Sequence, residues 1–194
     1  MRPWKRLESR QIVSDPWMRL RADRCELPNG NILDPYYVIE EPEWGHVLAV
    51  DEMERVLLVR QYRYAGGVVS WEFPGGRIDP GEEPIIGVRR ELLEETGAVA
   101  ENWIQIARFF PNPARQTNQF HGFVAQRARI AKEAAFDHGE EIEHRFFALE
   151  EIAGLLRSGG LSQGNHLALL FLGLAHLGLS IPAPWTTPGG GVGV

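Results

Sequence analysis

The chain has 194 residues, 44% of them hydrophobic and 24% charged. That length and balance fit one globular domain with a sizeable core and exclude disorder of the whole chain. A formal net charge of −6 argues against a nucleic-acid duplex as the main partner, because that role needs a basic surface to neutralise phosphates.

Cys25 is the one cysteine, so no intramolecular disulfide can form, which fits a reducing cytoplasm. It lies between Arg24 and Glu26 in a predicted strand and reads as a packed thiol rather than a nucleophile. The first residues, Met1 to Arg6, are basic but precede no apolar run, so they do not read as a signal peptide. The most apolar stretch, residues 166–179, falls short of the roughly 20 residues a membrane span needs. The expectation is a cytoplasmic protein with no membrane partner.

In chain order, residues 17–27 alternate loosely, and Pro28-Asn29-Gly30 is a turn signal before a second extended run at 35–39. Together these predict a hairpin. Residues 46–50 form a short apolar strand, residues 51–54 turn the chain, and residues 55–64 predict a strong strand. A further strand at 68–73 is closed by Pro74-Gly75-Gly76, and Asp79-Pro80-Gly81 is another turn.

From Pro84 to Thr96 the period becomes helical. Ile85, Val88, Leu92 and Thr96 share one face, Pro84 suits the first helical position, and Gly97 suits the cap after the last turn. Strands are predicted at 104–110 and 120–130, an acidic loop at 137–143, a strand at 144–148, and helices at 149–157 and 163–179. Many strands with few helices imply an α/β sandwich rather than a regular strand–helix alternation. Residues 182–194, rich in Pro and Gly, predict a flexible tail.

The chemistry concentrates between Gly76 and Ala98. Glu91 and Glu95 are four apart on the predicted helix, and Glu91 and Glu94 three apart, so all three carboxylates project from one side. Like charges at that spacing repel, and a cation removes the conflict. Clustered carboxylates with room for water suit Mg²⁺, with Mn²⁺ as a substitute, rather than zinc. Arg90 can pair with a glutamate and orient it, and Glu82 on the entering loop can add a contact. A solvated acidic face is the ordinary reading of a lone Glu pair, but here glycines stand at fixed positions on both sides.

This stretch resembles the Nudix box, in which a glycine is followed at set spacings by Glu, Arg-Glu, an aliphatic residue, Glu-Glu, Gly and an aliphatic residue. Gly76, Glu82, Arg90, Glu91, Leu92, Glu94, Glu95 and Gly97 match. Ala98 departs, being smaller than the usual aliphatic residue. Seven fixed identities at ordinary residue usage arise by chance about once in a million chains. The resemblance implies a Nudix-type α/β/α sandwich of mixed sheets (residues 43–181), with a small N-terminal antiparallel strand region (residues 1–42) that contacts the second subunit of a homodimer. It also implies metal held by Glu91 and Glu95, with Glu94, Glu82 and the Gly75 carbonyl close by. Glu94 and Arg90 are expected in catalysis. The reaction implied is hydrolysis of a phosphoanhydride in a nucleoside diphosphate linked to another group.

Arg60-Gln61-Tyr62-Arg63, then Trp71-Glu72-Phe73-Pro74-Gly75-Gly76, and Pro113 sixteen residues after Gly97 are similar to the ADP-ribose pyrophosphatase branch. That branch commonly has Pro-Ala-Gly where this chain has Pro-Gly-Gly. By this resemblance Arg63 contacts phosphate or ribose, and Glu72 holds a sugar hydroxyl or a neighbouring side chain. Trp17, with Tyr36 or Tyr37, clamps the base, and the catalytic base is Glu140 or Glu141. A shifted alignment puts Asp137 or His138 in that role instead. The polar segment 112–118 is expected near the distal sugar. His46, His121, His144, His166 and His176 show no ligand spacing and are expected to be structural. ADP-ribose is the leading substrate. A GDP-sugar, a dinucleoside polyphosphate or a nucleoside triphosphate is the alternative within the chemistry. A nucleotide-sensing module without turnover is the alternative in another class, disfavoured because every box glutamate is present.

Overall fold

The structure is a computed structural model that describes residues 1–135 and 141–183. In chain order it contains β1 (Lys5–Ser14), β2 (Arg19–Glu26), β3 (Ile32–Ile39), β4 (Trp44–Ala49), β5 (Val56–Arg63), β6 (Val68–Glu72), β7 (Gly75–Arg77), α1 (Pro84–Thr96), β8 (Ala98–Phe109), β9 (Phe120–Ile130), β10 (Glu143–Phe147), α2 (Leu149–Ser158) and α3 (Gly164–Leu177). Three sheets form, with strand orders β1-β2-β3, β10-β5-β6 and β7-β4-β9-β8. β4 and β9 pair in parallel, and the other named pairs are antiparallel.

The layering follows from which side chains each strand buries. Val47, Leu48, Ala49 and Val50 are all buried, so the chain here reads as a continuous apolar run rather than an alternating one. Val47 and Ala49 join Val88 and Leu92 of α1, together with Leu57 and Phe123. Leu48 and Val50 join Ile152 and Leu156 of α2 and Leu169, Leu170 and Leu174 of α3. The sheets that hold β4 and β5 therefore lie between α1 on one side and α2 with α3 on the other, the sandwich that the resemblance implied. Phe73, Phe120 and Phe147 are fully buried, each contributing about 1.5–3 kcal/mol relative to exposure.

α1 has the bounds its sequence signals predict. Pro84 opens it, and Gly97 (φ +66°) closes it by donating its N–H to Leu93 O. Thr96 Oγ1 donates to Leu92 O at 2.6 Å and accepts from Ala98 N at 3.1 Å. Ala98, the departure from the box pattern, is buried in the core beneath α1, where its small size is accommodated.

Three elements differ from the sequence-based expectation. β1 was not expected. It pairs with β2 along its whole length, yet nearly all its side chains are exposed. Gly75–Arg77 reads as a turn but is a strand paired with Trp44, Gly45 and His46 of β4. β8 begins at Ala98 rather than near residue 104, and its pairing with β9 carries register shifts. β3 is tied to the body of the domain by Tyr36 Oη→Ala114 O (2.6 Å), Ile39 N→Arg115 O (2.8 Å) and Thr117 N→Ile39 O (3.2 Å). Among the described residues, no helix is long and apolar enough to cross a membrane.

Candidate active site

The site is built where α1 crosses the β4–β7 pair, and missing side chains set its geometry. A Cβ at Gly45 would meet Val88 Cγ2 at 2.3 Å, and one at Gly75 would meet Gly45 O at 2.1 Å. Gly75 also sits at φ +143°, a conformation only glycine adopts at low cost. The helix thus lies directly on the strand backbone. Glu95, 5% exposed, reaches across so that its Oε2 accepts the Gly75 N–H at 2.8 Å. A Cβ at Gly76 would stand 2.8 Å from the Glu91 carboxyl group, so the Glu91 carboxylate occupies the space that glycine leaves open.

Arg90 organises the remaining acids. Its Nη1 donates to Glu91 Oε1 and Glu94 Oε2, each at 3.0 Å, and its Nη2 donates to Arg77 O at 3.3 Å and Glu82 Oε2 at 3.5 Å. Burial opposes the charge, but three carboxylates outweigh it and hold the guanidinium well above its ordinary pKa. Glu82 lies over Gly87, where a Cβ would come 2.8 Å from its Oε2. The Asp79 N–H and then Arg90 hold its carboxyl below the usual range.

The donor set is carboxylate oxygen beside backbone carbonyl, which suits a hard divalent cation. Among the described residues, no group of three or more His, Cys, Asp or Glu is gathered as a metal cage. Arg90 draws Glu91 and Glu94 to itself, and Glu95 is turned to Gly75. The residues fit a divalent ion in chemistry, and side-chain rotations away from Arg90 would turn carboxylate oxygens toward it.

Two cavities flank the strand pair and share Glu41 and Trp44. The first, about 540 Å³, is lined by His46, Arg63, Pro111, Asn118 and residues at the start of α3. The second, about 470 Å³, is lined by Trp17, Arg19, Glu40 and Arg77. Both are of the size that holds a small ligand. Trp17 is 93% exposed, so its indole is available to a ligand face.

The other residues singled out from the sequence are placed as follows. Arg63 lines the first cavity, but its guanidinium is held by Glu72 through Nε at 2.9 and 3.1 Å and Nη2 at 2.5 Å. Glu72 is fully buried and also accepts from Gln163 Nε2 at 2.5 Å, so its carboxylate is taken up by Arg63 and Gln163. Tyr36 is spent on Ala114, while Tyr37 is exposed on β3. Pro111 lines the cavity; Pro113 is exposed. Glu141 is exposed, whereas Asp137, His138 and Glu140 lie outside the described residues.

Two histidines expected to be merely structural line the first cavity: His46 and His166. His46 Nδ1 donates to Phe73 O at 3.0 Å, while His166 Nδ1 accepts the Phe73 N–H at 3.1 Å, so that the backbone of one residue fixes both tautomers. Burial pushes His46 down to about 4 and His166 well below its ordinary value, and nearby Arg63 adds to both shifts. His166 is therefore neutral, and its Nε2, 3.7 Å from Glu72 Oε2, does not form an ion pair. Their spacing along the chain carries no motif that would single them out, whereas Asn118 falls in the polar segment 112–118 expected near the distal sugar.

Residues 41–170 match the NUDIX domain, and residues 4–39 match the nucleoside diphosphate sugar hydrolase N-terminal domain. The chain belongs to the Nudix family. The ADP-ribose pyrophosphatase of Bacillus subtilis is a Nudix relative 30% identical over 155 residues, 79% of this chain and 83% of that protein. The CMP-5'-(N-acetyl-N-hydroxy-3-aminopropyl)phosphonate hydrolase of Streptomyces rubellomurinus is 28% identical over 168 residues, 86% of this chain and 81% of that protein. A crystal structure of ADP compounds hydrolase shares the fold with a TM-score of 0.81, covering 92% of this chain and 96% of that one at 20% identity. This Nudix chain is accordingly a pyrophosphohydrolase by family, with its box on α1 and the loop before it.

Proposed function

We propose that the protein hydrolyses the pyrophosphate bond of a nucleoside diphosphate linked to a sugar, with ADP-ribose as the leading substrate and AMP and ribose 5-phosphate as products. The observation that carries this reading is the carboxylate row of α1, packed on Gly75–Gly76 beside two cavities that share Glu41 and Trp44. One cavity suits a base and the other a sugar. The pyrophosphate then lies at their junction, near Trp44 and the box.

Glu91 and Glu95 would hold a divalent ion, Mg²⁺ or in its place Mn²⁺, with Glu94, Glu82 and the Gly75 carbonyl as further donors. Such an ion neutralises bridging phosphate oxygens and lowers the pKa of a bound water. Arg90 sets the side-chain positions of Glu91, Glu94 and Glu82. Trp17 stacks on the base, and Arg77 faces the phosphates from the second cavity. Glu140 or Glu141 takes the proton of the attacking water. We place the protein in the cytoplasm, consistent with its single cysteine.

We also propose a homodimer, joined through residues 1–42. The support is the exposed apolar set on the N-terminal sheet, Trp4, Leu7, Ile12, Ile32 and Leu33, which is costly to leave in water.

One experiment tests the activity and assembly together. The purified protein is incubated with Mg²⁺ and ADP-ribose, GDP-mannose, NADH, diadenosine polyphosphates or nucleoside triphosphates, beside Glu95→Gln, and its mass in solution is measured. Metal-dependent release of AMP from ADP-ribose, lost in Glu95→Gln, at twice the chain mass, is the expected result. Preferential cleavage of GDP-mannose keeps the chemistry and changes the substrate. Nucleotide binding without turnover of any compound overturns the reading in favour of a sensing module, and a monomer overturns the assembly.

A further inference from the structure

Phe73 and Pro74 join β6 to β7 and lead directly into Gly75. A buried joining segment must find partners for its backbone polar groups outside a strand ladder. Phe73 is 1% exposed and finds both partners in side chains. Its N–H donates to His166 Nδ1 at 3.1 Å, and its carbonyl accepts from His46 Nδ1 at 3.0 Å. Pro74 has no N–H, and its carbonyl accepts from Val47 N at 3.0 Å. The Gly75 N–H then donates to Glu95 Oε2 at 2.8 Å. Every backbone polar group from the Phe73 N–H to the Gly75 N–H is therefore tied, to α3, to β4 twice and to α1.

The two imidazoles are held in complementary states. A carbonyl only accepts and an N–H only donates, so His46 carries a proton on Nδ1 while His166 keeps its Nδ1 bare. Both rings are buried and wedged among others. His46 stacks on Phe120 with centroids 5.4 Å apart, meets His166 edge-on at 4.6 Å, and His166 stacks on Phe73 at 5.9 Å. What they anchor is the approach to a glycine at φ +143°. Glycine is the residue least able to hold one conformation by itself. The direction of the Gly75 peptide is thus set by its neighbours, and on the N-terminal side Phe73 is the neighbour that two imidazoles grip.

We propose that His46 and His166 are positioning residues for the divalent ion: by holding Phe73 through both backbone groups they fix the Gly75 peptide, and with it the Gly75 carbonyl and the Glu95 carboxylate. The assignment rests on the proposed metal role of Gly75 and Glu95 and adds two residues that lie outside the box. Neither imidazole is a ligand in this arrangement, since the Nδ1 of each is spent on Phe73. Groups that orient a metal donor in this way commonly govern affinity as strongly as a weak donor does.

Mn²⁺ binding to the full-length protein, followed by electron paramagnetic resonance without nucleotide, tests the assignment, because substrate contacts do not enter that reading. His46→Leu and His166→Leu each break one Phe73 bond and should raise the Mn²⁺ Kd about 10-fold. His46→Asn and His166→Asn should bring most of the affinity back. The short amide stands where Nδ1 stood, offering an N–H to the Phe73 carbonyl in one variant and an oxygen to the Phe73 N–H in the other. A wild-type Kd in the leucine variants, whatever their Tm, overturns the assignment and leaves both histidines to the fold. A raised Kd that asparagine does not lower overturns it too, because the hydrogen bond and not the ring is what positions Gly75. Where a leucine variant does not fold, His46→Ala or His166→Ala carries the same expectation; failure of the alanine variant to fold as well also overturns it. Mn²⁺ binding that is absent from the wild type, or unchanged in Glu95→Gln, overturns the metal reading first and this assignment with it.

Discussion

At the level of single residues, Gly75, just before the box, and Gly76, its first residue, have different jobs, and the structure separates them. At Gly76 the three atoms nearest an added Cβ all belong to the Glu91 carboxyl group, the far end of a flexible side chain. At Gly75 it would meet Gly45 O at 2.1 Å and His46 Cα at 2.6 Å, both backbone, at a φ of +143°. Gly76→Ala should therefore fold normally while displacing Glu91, lowering kcat/KM on the order of 10²-fold, as a misplacement of about 1 Å can. Gly75→Ala should lose on the order of 3 kcal/mol of stability from strain and overlap. Urea unfolding beside a turnover assay separates the two effects. Wild-type kcat/KM in Gly76→Ala would show that the Glu91 position is unimportant. The sequence marks Gly76 by its place in the box and Gly75 by the Pro-Gly-Gly that leads into it, but it cannot say which one guards the fold and which makes room for a carboxylate.

At the level of elements, the helices end well and begin poorly. Gly97, Gly159 and Gly178 close α1, α2 and α3 in the left-handed conformation, whereas Glu83, Ala148 and Gln163 make no side-chain cap at the starts. α2 holds half of a reciprocal cap: Glu151 Oε2 accepts the Ala148 N–H at 2.9 Å, but alanine has no oxygen to return the bond. Ala148→Ser should complete it and stabilise the protein by about 1 kcal/mol, raising Tm by about 2–4 °C for a chain of this size. Turnover should be unchanged, since no box or cavity residue is touched; a Tm at or below that of the wild type counts against the capping argument. The same contrast between local and non-local signals explains which elements were legible. α1 was readable to the residue because Pro84, Gly97 and the Ile85–Val88–Leu92–Thr96 face are all local signals. β1 was not, because Lys5–Ser14 is polar and exposed on both faces, and only its partner β2 makes it a strand. Gly75–Arg77 looks like a turn by composition and becomes a strand because glycine allows β4 and α1 to close on it. The start of β8 was missed because register shifts near Glu101 and Asn102, the latter at φ +48°, break the alternation.

At the level of the whole molecule, the box was legible because its chemistry lies within one helix and the loop before it. The first cavity was legible only in part: the polar segment that holds Asn118 stood out, but His46 and His166 come from β4 and the start of α3, and only the fold brings them to it. Their burial has a consequence for the stability of the entire domain. His46 and His166 are neutral in the folded state with pKa values depressed by burial, His46 to about 4; His144 is shifted the same way. An unfolded histidine titrates near 6.5, so below that pH the unfolded chain binds protons that the folded chain refuses. The stabilisation is intact above about pH 6.5 and is lost as pH falls toward the folded values, with His46 alone contributing roughly 2 kcal/mol of loss by pH 5. The carboxylates Asp23, Glu82 and Glu151 also have lowered values, but their contribution is lost only as pH falls below the ordinary carboxylate range. The interval from about pH 6.5 to pH 5 therefore isolates the histidines. Unfolding free energies across it should fall steeply for the wild type. His46→Gln, whose amide can still donate to Phe73 O, should show a visibly flatter slope. Equal slopes in the two proteins would mean that His46 is hydrated or charged in the folded state.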